Sequence, residues 1–287
     1  MYKFSFLFLL SMALLVEKSF AQKEAYRVFT GKGKKSDYGK LLAAASNQEF
    51  VFFGELHNNP IAHWLEFELL KDLAAQKQVS VGMEMFETDQ QHWLVDYFAE
   101  KIEQKVFEKD AKPWNNYPTD YKPIVEFCKE KKLPLIATNV PRPYARMVAK
   151  NGVASLDTLP ESDKKWICPL PYTIPFENPS YQKMEEMMGH SGTASKNFVS
   201  AQAIKDATMA HNILKNEKQG GIFLHFNGSY HSDYKEGIVW YIFQQKKAAK
   251  VLNISVVEQT QTATLDKEHL NKADFIIVVP ESMTKTY

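Results

Sequence analysis

From Glu49 onward, short apolar runs alternate with stretches of helical period, and this alternation most narrows what the chain can fold into. A run such as Phe50-Val51-Phe52-Phe53 has no polar face, so it suits a strand buried on both sides, as in parallel sheets joined by crossover helices. Strands are expected at 50–54, 79–86, 133–138, 222–226, 251–257 and 275–279. Helices are expected from Pro60, with Asn58 or Asn59 as cap and Pro in the first turn, then from Asp89, up to Lys131, from Pro141, and over 180–188 and 195–217. The last carries a narrow stripe of Ala203, Ala207, Ala210 and Leu214. The fold class implied is α/β, a mostly parallel central sheet flanked by helices. Residues 155–179 are proline-rich and lack a period. A small helical subdomain, inserted at about 155–217 within a domain of residues 22–287, is expected there.

The chain opens on Met1-Tyr2-Lys3, runs apolar from Phe4 to Val16 and leaves through Ser19-Phe20-Ala21. A charged start, an apolar stretch and a small-residue exit describe a signal peptide over residues 1–21. Glu17 and Lys18 interrupt the run short of the roughly 20 apolar residues that span a bilayer. No cysteine follows to accept a lipid, so an exported, unanchored periplasmic protein is expected. A net charge of +1 without a basic stripe argues against a nucleic-acid binder. Cys128 and Cys168 are the only cysteines, expected as unpaired thiols, and the absence of C-x-x-C-H excludes the usual covalent c-type haem.

Ligands of open parallel sheets gather beyond the carboxyl ends of the strands. Those ends present Gly54-Glu55-Leu56-His57, then Glu84, then Asn139-Val140-Pro141-Arg142, then His225 with Gly228-Ser229-Tyr230-His231. Glu84 stands among Val81, Gly82, Met83, Met85 and Phe86, where a carboxylate needs a partner or a cation. An ion pair with Arg142 is its structural explanation; a functional carboxylate is the other, because perturbed groups cluster at sites. Glu55 and His57 lie two apart, so an extended exit turns both to one side. They could instead cap the helix at Pro60. His225, inside an apolar strand, suits a satisfied core histidine equally well. Glu55, His57, Glu84 and His231 are the candidate catalytic set with Arg142, and also the candidate ligands of a divalent metal such as Zn or Mn.

Two G-x-x-H motifs, Gly54 to His57 and Gly228 to His231, with the strand-borne Glu84 between them, resemble the pattern of the Tiki/TraB/erythromycin-esterase superfamily. The run through Gly82-Met83-Glu84-Met85-Phe86, Asn139-Val140-Pro141-Arg142, Met188-Gly189-His190, Ala201-Gln202 and Asp206 to Ala210 is similar to the ChaN-like haem-binding proteins over roughly residues 48–245. The resemblance implies haem binding in haem or iron uptake, with possible outer-membrane haem-uptake machinery as a partner, and a homodimer when loaded. In that family a tyrosine holds each iron, while a histidine and a lysine contact the propionates. Carried over by segment and residue type, Tyr181 and then Tyr172 become the candidate iron ligands. Lys183 and His190 become the propionate contacts, and Met184 and Met188, with Met187, an adaptable apolar wall. An ordinary amphipathic helix packed on the sheet would use the same residues. Superfamily relatives also imply a hydrolase, with His57 or Glu84 as general base, Glu55 assisting, and Arg142 with His231 orienting substrate or steadying an oxyanion. A binding module for another small ligand in the same cleft is the third reading.

Overall fold

The computed structural model describes residues 23–189 and 192–287; the expected signal peptide and His190 lie outside the described residues. In chain order the elements are β1 (Arg27–Thr30), α1 (Tyr38–Ala45), β2 (Phe50–Glu55), α2 (Pro60–Ala74), β3 (Val79–Glu87), α3 (Gln91–Phe98), α4 (Gln104–Asp110), α5 (Lys122–Lys131) and β4 (Leu135–Asn139). They continue with α6 (Arg142–Asn151), α7 (Glu161–Lys164), α8 (Pro179–Met187), α9 (Thr193–Asn216), β5 (Ile222–Gly228), α10 (Ile238–Gln245), β6 (Val251–Gln259) and β7 (Phe275–Pro280). The sheet order is β1-β7-β6-β2-β5-β3-β4. Every pairing is parallel except β1 against β7. Each expected strand is present, within a few residues at its ends. The sequence reading missed the four-residue edge strand β1 and helices α1, α4, α7 and α10.

The period of two in β2 divides the core between the two faces of the sheet. Val51 and Phe53 pack with Leu65, Leu69, Met83 and Phe226 on one side. Phe50 and Phe52 pack with Val148, Ile204, Met209 and Ile242 on the other. Burying each phenylalanine contributes about 1.5–3 kcal/mol, so the continuous apolar run that announced the strand is also what holds both layers to it. Helix α2 starts where expected: the Asn59 side chain accepts from the backbone N–H groups of Ile61 and Ala62, with Pro60 in the first turn. Helix α9 lies within the span expected as a helical subdomain and packs against α6, α10 and β4. The two cysteines are free and buried, as expected of unpaired thiols.

Crossing the middle of the sheet, Gly82 of β3 faces His225 of β5. A Cβ there would stand 2.6 Å from His225 Cδ2 and 2.6 Å from Phe223 Cε1, both on buried, tightly packed rings. Gly82→Ala therefore overpacks the sheet, and a loss of about 1–3 kcal/mol is expected, read as a lower urea midpoint with an unchanged slope. A midpoint equal to the parent's would show that this close approach is not needed.

Candidate functional site

Strands β2, β5 and β3 are adjacent, and their register sets Glu55 opposite Gly228 and Met83 opposite Phe226. Their carboxyl ends therefore bring Glu55, Gly228 and Glu84 to one rim. Glu84 is buried: its Oε2 accepts the Gly228 N–H at 2.7 Å, and its Oε1 lies 3.1 Å from His231 Nε2. His231 is also buried, with Nδ1 in a short hydrogen bond to Asp206 of α9. Asp206 accepts through its other oxygen from the Tyr181 hydroxyl at 2.7 Å. A relay of Glu84, His231, Asp206 and Tyr181 thus runs from the sheet rim under α8. Burial disfavours charge throughout, but the flanking carboxylates outweigh it at His231 and push its pKa up to about 10. For Glu84, the neighbouring His231 charge overcomes burial and holds the carboxyl well below its usual range. At Asp206 burial wins, and its pKa is raised.

A second imidazole–carboxylate pair faces the same rim. His57 Nδ1 lies 2.5 Å from Glu55 Oε1, which also accepts from the Tyr121 hydroxyl at 2.7 Å. The His57 side chain is 36% exposed, Trp114 meets its ring edge-on at 5.0 Å between centroids, and Nε2 has no hydrogen-bond partner among the described residues. Burial opposes charge on this ring too, yet Glu55 and Glu84 raise its pKa. Gly228 lets the two pairs approach: a Cβ there would stand 2.8 Å from His57 Nε2.

A cleft of about 500 Å³ opens over this rim. Val140, Ala145, Ala149, Ala201 and Phe198 give it apolar walls, while Arg142, Arg146 and Lys205 stand around it as cations. The expectation that Arg142 balances Glu84 is corrected. The β3–β4 register shifts between Met83 and Glu87, and Arg142 meets Glu87 instead, through its backbone N–H at 2.8 Å and its Nε at 3.6 Å. Imidazole nitrogen from His231 supplies the counter-charge of Glu84. His225 is a satisfied core histidine, bonded to Thr138 and Asn227, and burial lowers its pKa to about 4.

Glu55, His57, Glu84 and His231 share the rim but do not form one metal cage. Each imidazole is held by its own carboxylate, and the group of three metal-binding side chains whose donor atoms fall within 4.8 Å of one another, among the described residues, is Glu55, His63 and Glu66. In the segment expected to bind haem, Tyr181 is turned inward, fully buried, with its hydroxyl on Asp206. Tyr172 is half-buried with its hydroxyl 3.4 Å from the Ser200 carbonyl. Lys183 and Met188 are exposed and Met184 half-buried. Asp206, Gln202, Tyr121 and Trp114 escaped the sequence reading as site residues. Asp206 opens a run that carries the family resemblance, and it also had a physical signal, an acid set beside the small-residue stripe of Ala203, Ala207 and Ala210 on a helix that must face the sheet.

The family model for haem-binding uptake proteins of the Tiki superfamily and ChaN matches residues 41–242. The Arabidopsis thaliana chloroplast protein RETICULATA-RELATED 5 is 26% identical over 223 residues, which cover 71% of this chain but 29% of that relative. Among solved structures, that of cofacial haem binding to ChaN of Campylobacter jejuni superposes with a TM-score of 0.67 at 16% identity, over 88% of this chain and 96% of the other. A Bacillus cereus protein gives a TM-score of 0.52 at 10% identity, over 88% and 94% of the two chains.

The relay makes stability pH-dependent. His231 has an ordinary value of 6.5 and a folded value of about 10, so its contribution is complete below 6.5 and is lost as pH rises through 10. Between those limits the folded chain holds a proton that the unfolded chain releases, and stability falls by about 1.4 kcal/mol per pH unit from this group. His231→Gln leaves two buried carboxylates without their shared cation, at a loss of about 3–5 kcal/mol near neutral pH. It also removes that slope. Urea unfolding at pH 6, 8 and 10 checks both; a parent and variant with the same slope would contradict the assignment.

Proposed function

The chain belongs to the haem-binding uptake family of the Tiki superfamily that includes ChaN, and from that premise we propose that it binds haem at the outer face of α8 and α9, beside the cleft. The observation that carries this reading is a set of large apolar side chains left in water: Met187 is 71%, Met188 42% and Phe198 44% exposed. Exposed apolar surface of this kind marks a place where something docks. The donor set suits a porphyrin. Phe198 and the two methionines offer an adaptable apolar face, and Arg146, Lys205 and Lys183 offer cations for two carboxylates. Tyr172 takes precedence over Tyr181 as iron ligand, because the Tyr181 proton is held by Asp206. When bound, the group would supply a ferric iron for a tyrosine oxygen. A second copy of the chain closing over the apolar face gives a homodimer when loaded, and a place in haem or iron uptake in the periplasm follows. Among the described residues no helix is long and apolar enough to cross a membrane.

Hemin added to the purified protein is expected to shift the Soret band with tyrosinate character. Tyr172→Phe should remove that character and Tyr181→Phe should retain it. Arg146→Glu with Lys205→Glu should weaken binding about a hundredfold or more, as each lost charge-assisted contact contributes about 1.5–3 kcal/mol. No shift at micromolar hemin would overturn the reading.

A second reading, hydrolysis in the cleft, is favoured by the unpartnered Nε2 of His57 opposite an Nδ1 held by buried Glu55. In it, His57 Nε2 takes a proton from water, Glu55 fixes the tautomer and Arg142 steadies the developing oxyanion. Glu84 is a poor base here, since its carboxyl titrates far below neutrality and engages His231. Because His57 titrates above its ordinary 6.5, ester hydrolysis should rise with pH along a limb above 6.5. His57→Ala should abolish it. An activity indifferent to that substitution would exclude this site.

A further inference from the structure

We infer that Glu55, His63 and Glu66 form a buried site for one divalent transition-metal ion of the zinc type, behind the cleft and joined to it through the bond of Glu55 to His57. His63 and Glu66 lie one turn apart on α2, and Glu55 ends β2 beside them. The Nδ1 of His63 is 3.1 Å from Glu55 Oε2 and 3.1 Å from Glu66 Oε2. Donors held about 2.0–2.1 Å from a tetrahedral ion stand about 3.3 Å apart, so small shifts would admit one. The other face of the ring carries the support usual for a metal-bound histidine, in which the second ring nitrogen is fixed by a carbonyl or carboxylate. Nε2 of His63 is 3.1 Å from the His57 carbonyl and 3.3 Å from Asp120 Oδ2. That leaves Nδ1, the nitrogen facing both glutamates, as the ligand atom.

A second observation points to a ligand rather than to an ordinary ion pair. Glu66 Oε1 is fully buried with no hydrogen-bond partner among the described residues, and the equally buried Glu55 Oε2 meets no polar side chain but the His63 ring, whose Nδ1 it shares with Glu66 Oε2. Two buried carboxylates set against one imidazole nitrogen also need a proton or a cation between them, because both cannot stay ionised side by side. With Asp120 there are three acids around one imidazole. A divalent ion meets these requirements, with His63 Nδ1 and one oxygen from each glutamate close enough together to hold it. One nitrogen with two carboxylate oxygens suits zinc or manganese.

The test is titration of the metal-stripped protein with Zn2+ by calorimetry in two buffers of different ionisation enthalpy, beside Co2+ absorption spectra. One equivalent per chain with release of protons is expected. Glu66→Gln keeps the side-chain shape and should weaken binding about a hundredfold or more. No zinc uptake at micromolar concentration, or unchanged affinity in Glu66→Gln, would overturn the site. Should Glu66→Gln fail to fold, pulsed electron paramagnetic resonance of the Co2+-loaded parent decides, since the site requires one imidazole nitrogen and any other number excludes it. Haem binding is independent of every arm.

Discussion

Carboxylates placed inside a parallel sheet govern this molecule. Glu55 and Glu84 sit at the ends of strands that are otherwise apolar and fully covered, where an unpaired charge would cost several kcal/mol. Each is rescued by an imidazole brought from elsewhere: Glu84 by His231 after β5, and Glu55 by His57 and by His63 on α2. The sheet order 2-5-3 makes these rescues possible, because β5 carries Gly228 and His231 between the two acids. Chemistry and fold thus share one set of contacts, and the rim cannot be altered without touching the stability of the core.

Much of the architecture was legible because buried parallel strands leave a blunt trace, continuous apolar runs with no polar face. The edge strand β1 left none: four residues, Arg27 to Thr30, carry too little pattern to be read. At the site, Glu84 was visible because its neighbours are apolar, and Glu55 with His57 because two residues in extended chain share a side. Of the two explanations for Glu84, the ion pair with Arg142 is not formed. A register shift past Met83 swings Glu87 toward the start of α6, where it captures Arg142, and irregular pairing of that kind has no counterpart in residue spacing. His63 and Glu66 passed as ordinary members of an amphipathic helix, since a one-turn acid–base pair is common on exposed faces. Only burial distinguishes them.

Two surfaces with different physics lie side by side. The cleft is polar at its floor, with imidazoles fixed by carboxylates, and suits the handling of protons. The neighbouring face of α8 and α9 carries exposed methionines and a phenylalanine over a small-residue interior, and suits a flat apolar ligand. Tyr181 belongs to both, as it comes from the helix of the second and donates to the relay beneath the first. Anything that moves α8 is therefore felt by Asp206 and, through it, by His231.

The pairing of β1 with β7 sets the order in which the molecule can be finished. Arg27 to Thr30 find their strand partners in Phe275 to Val278, far along the chain. The central strand β2 likewise waits for β5 and β6. A ribosome must therefore deliver almost everything before the sheet can close, which places this chain among slow, high-contact-order folders and leaves its early strands exposed to misassociation during synthesis.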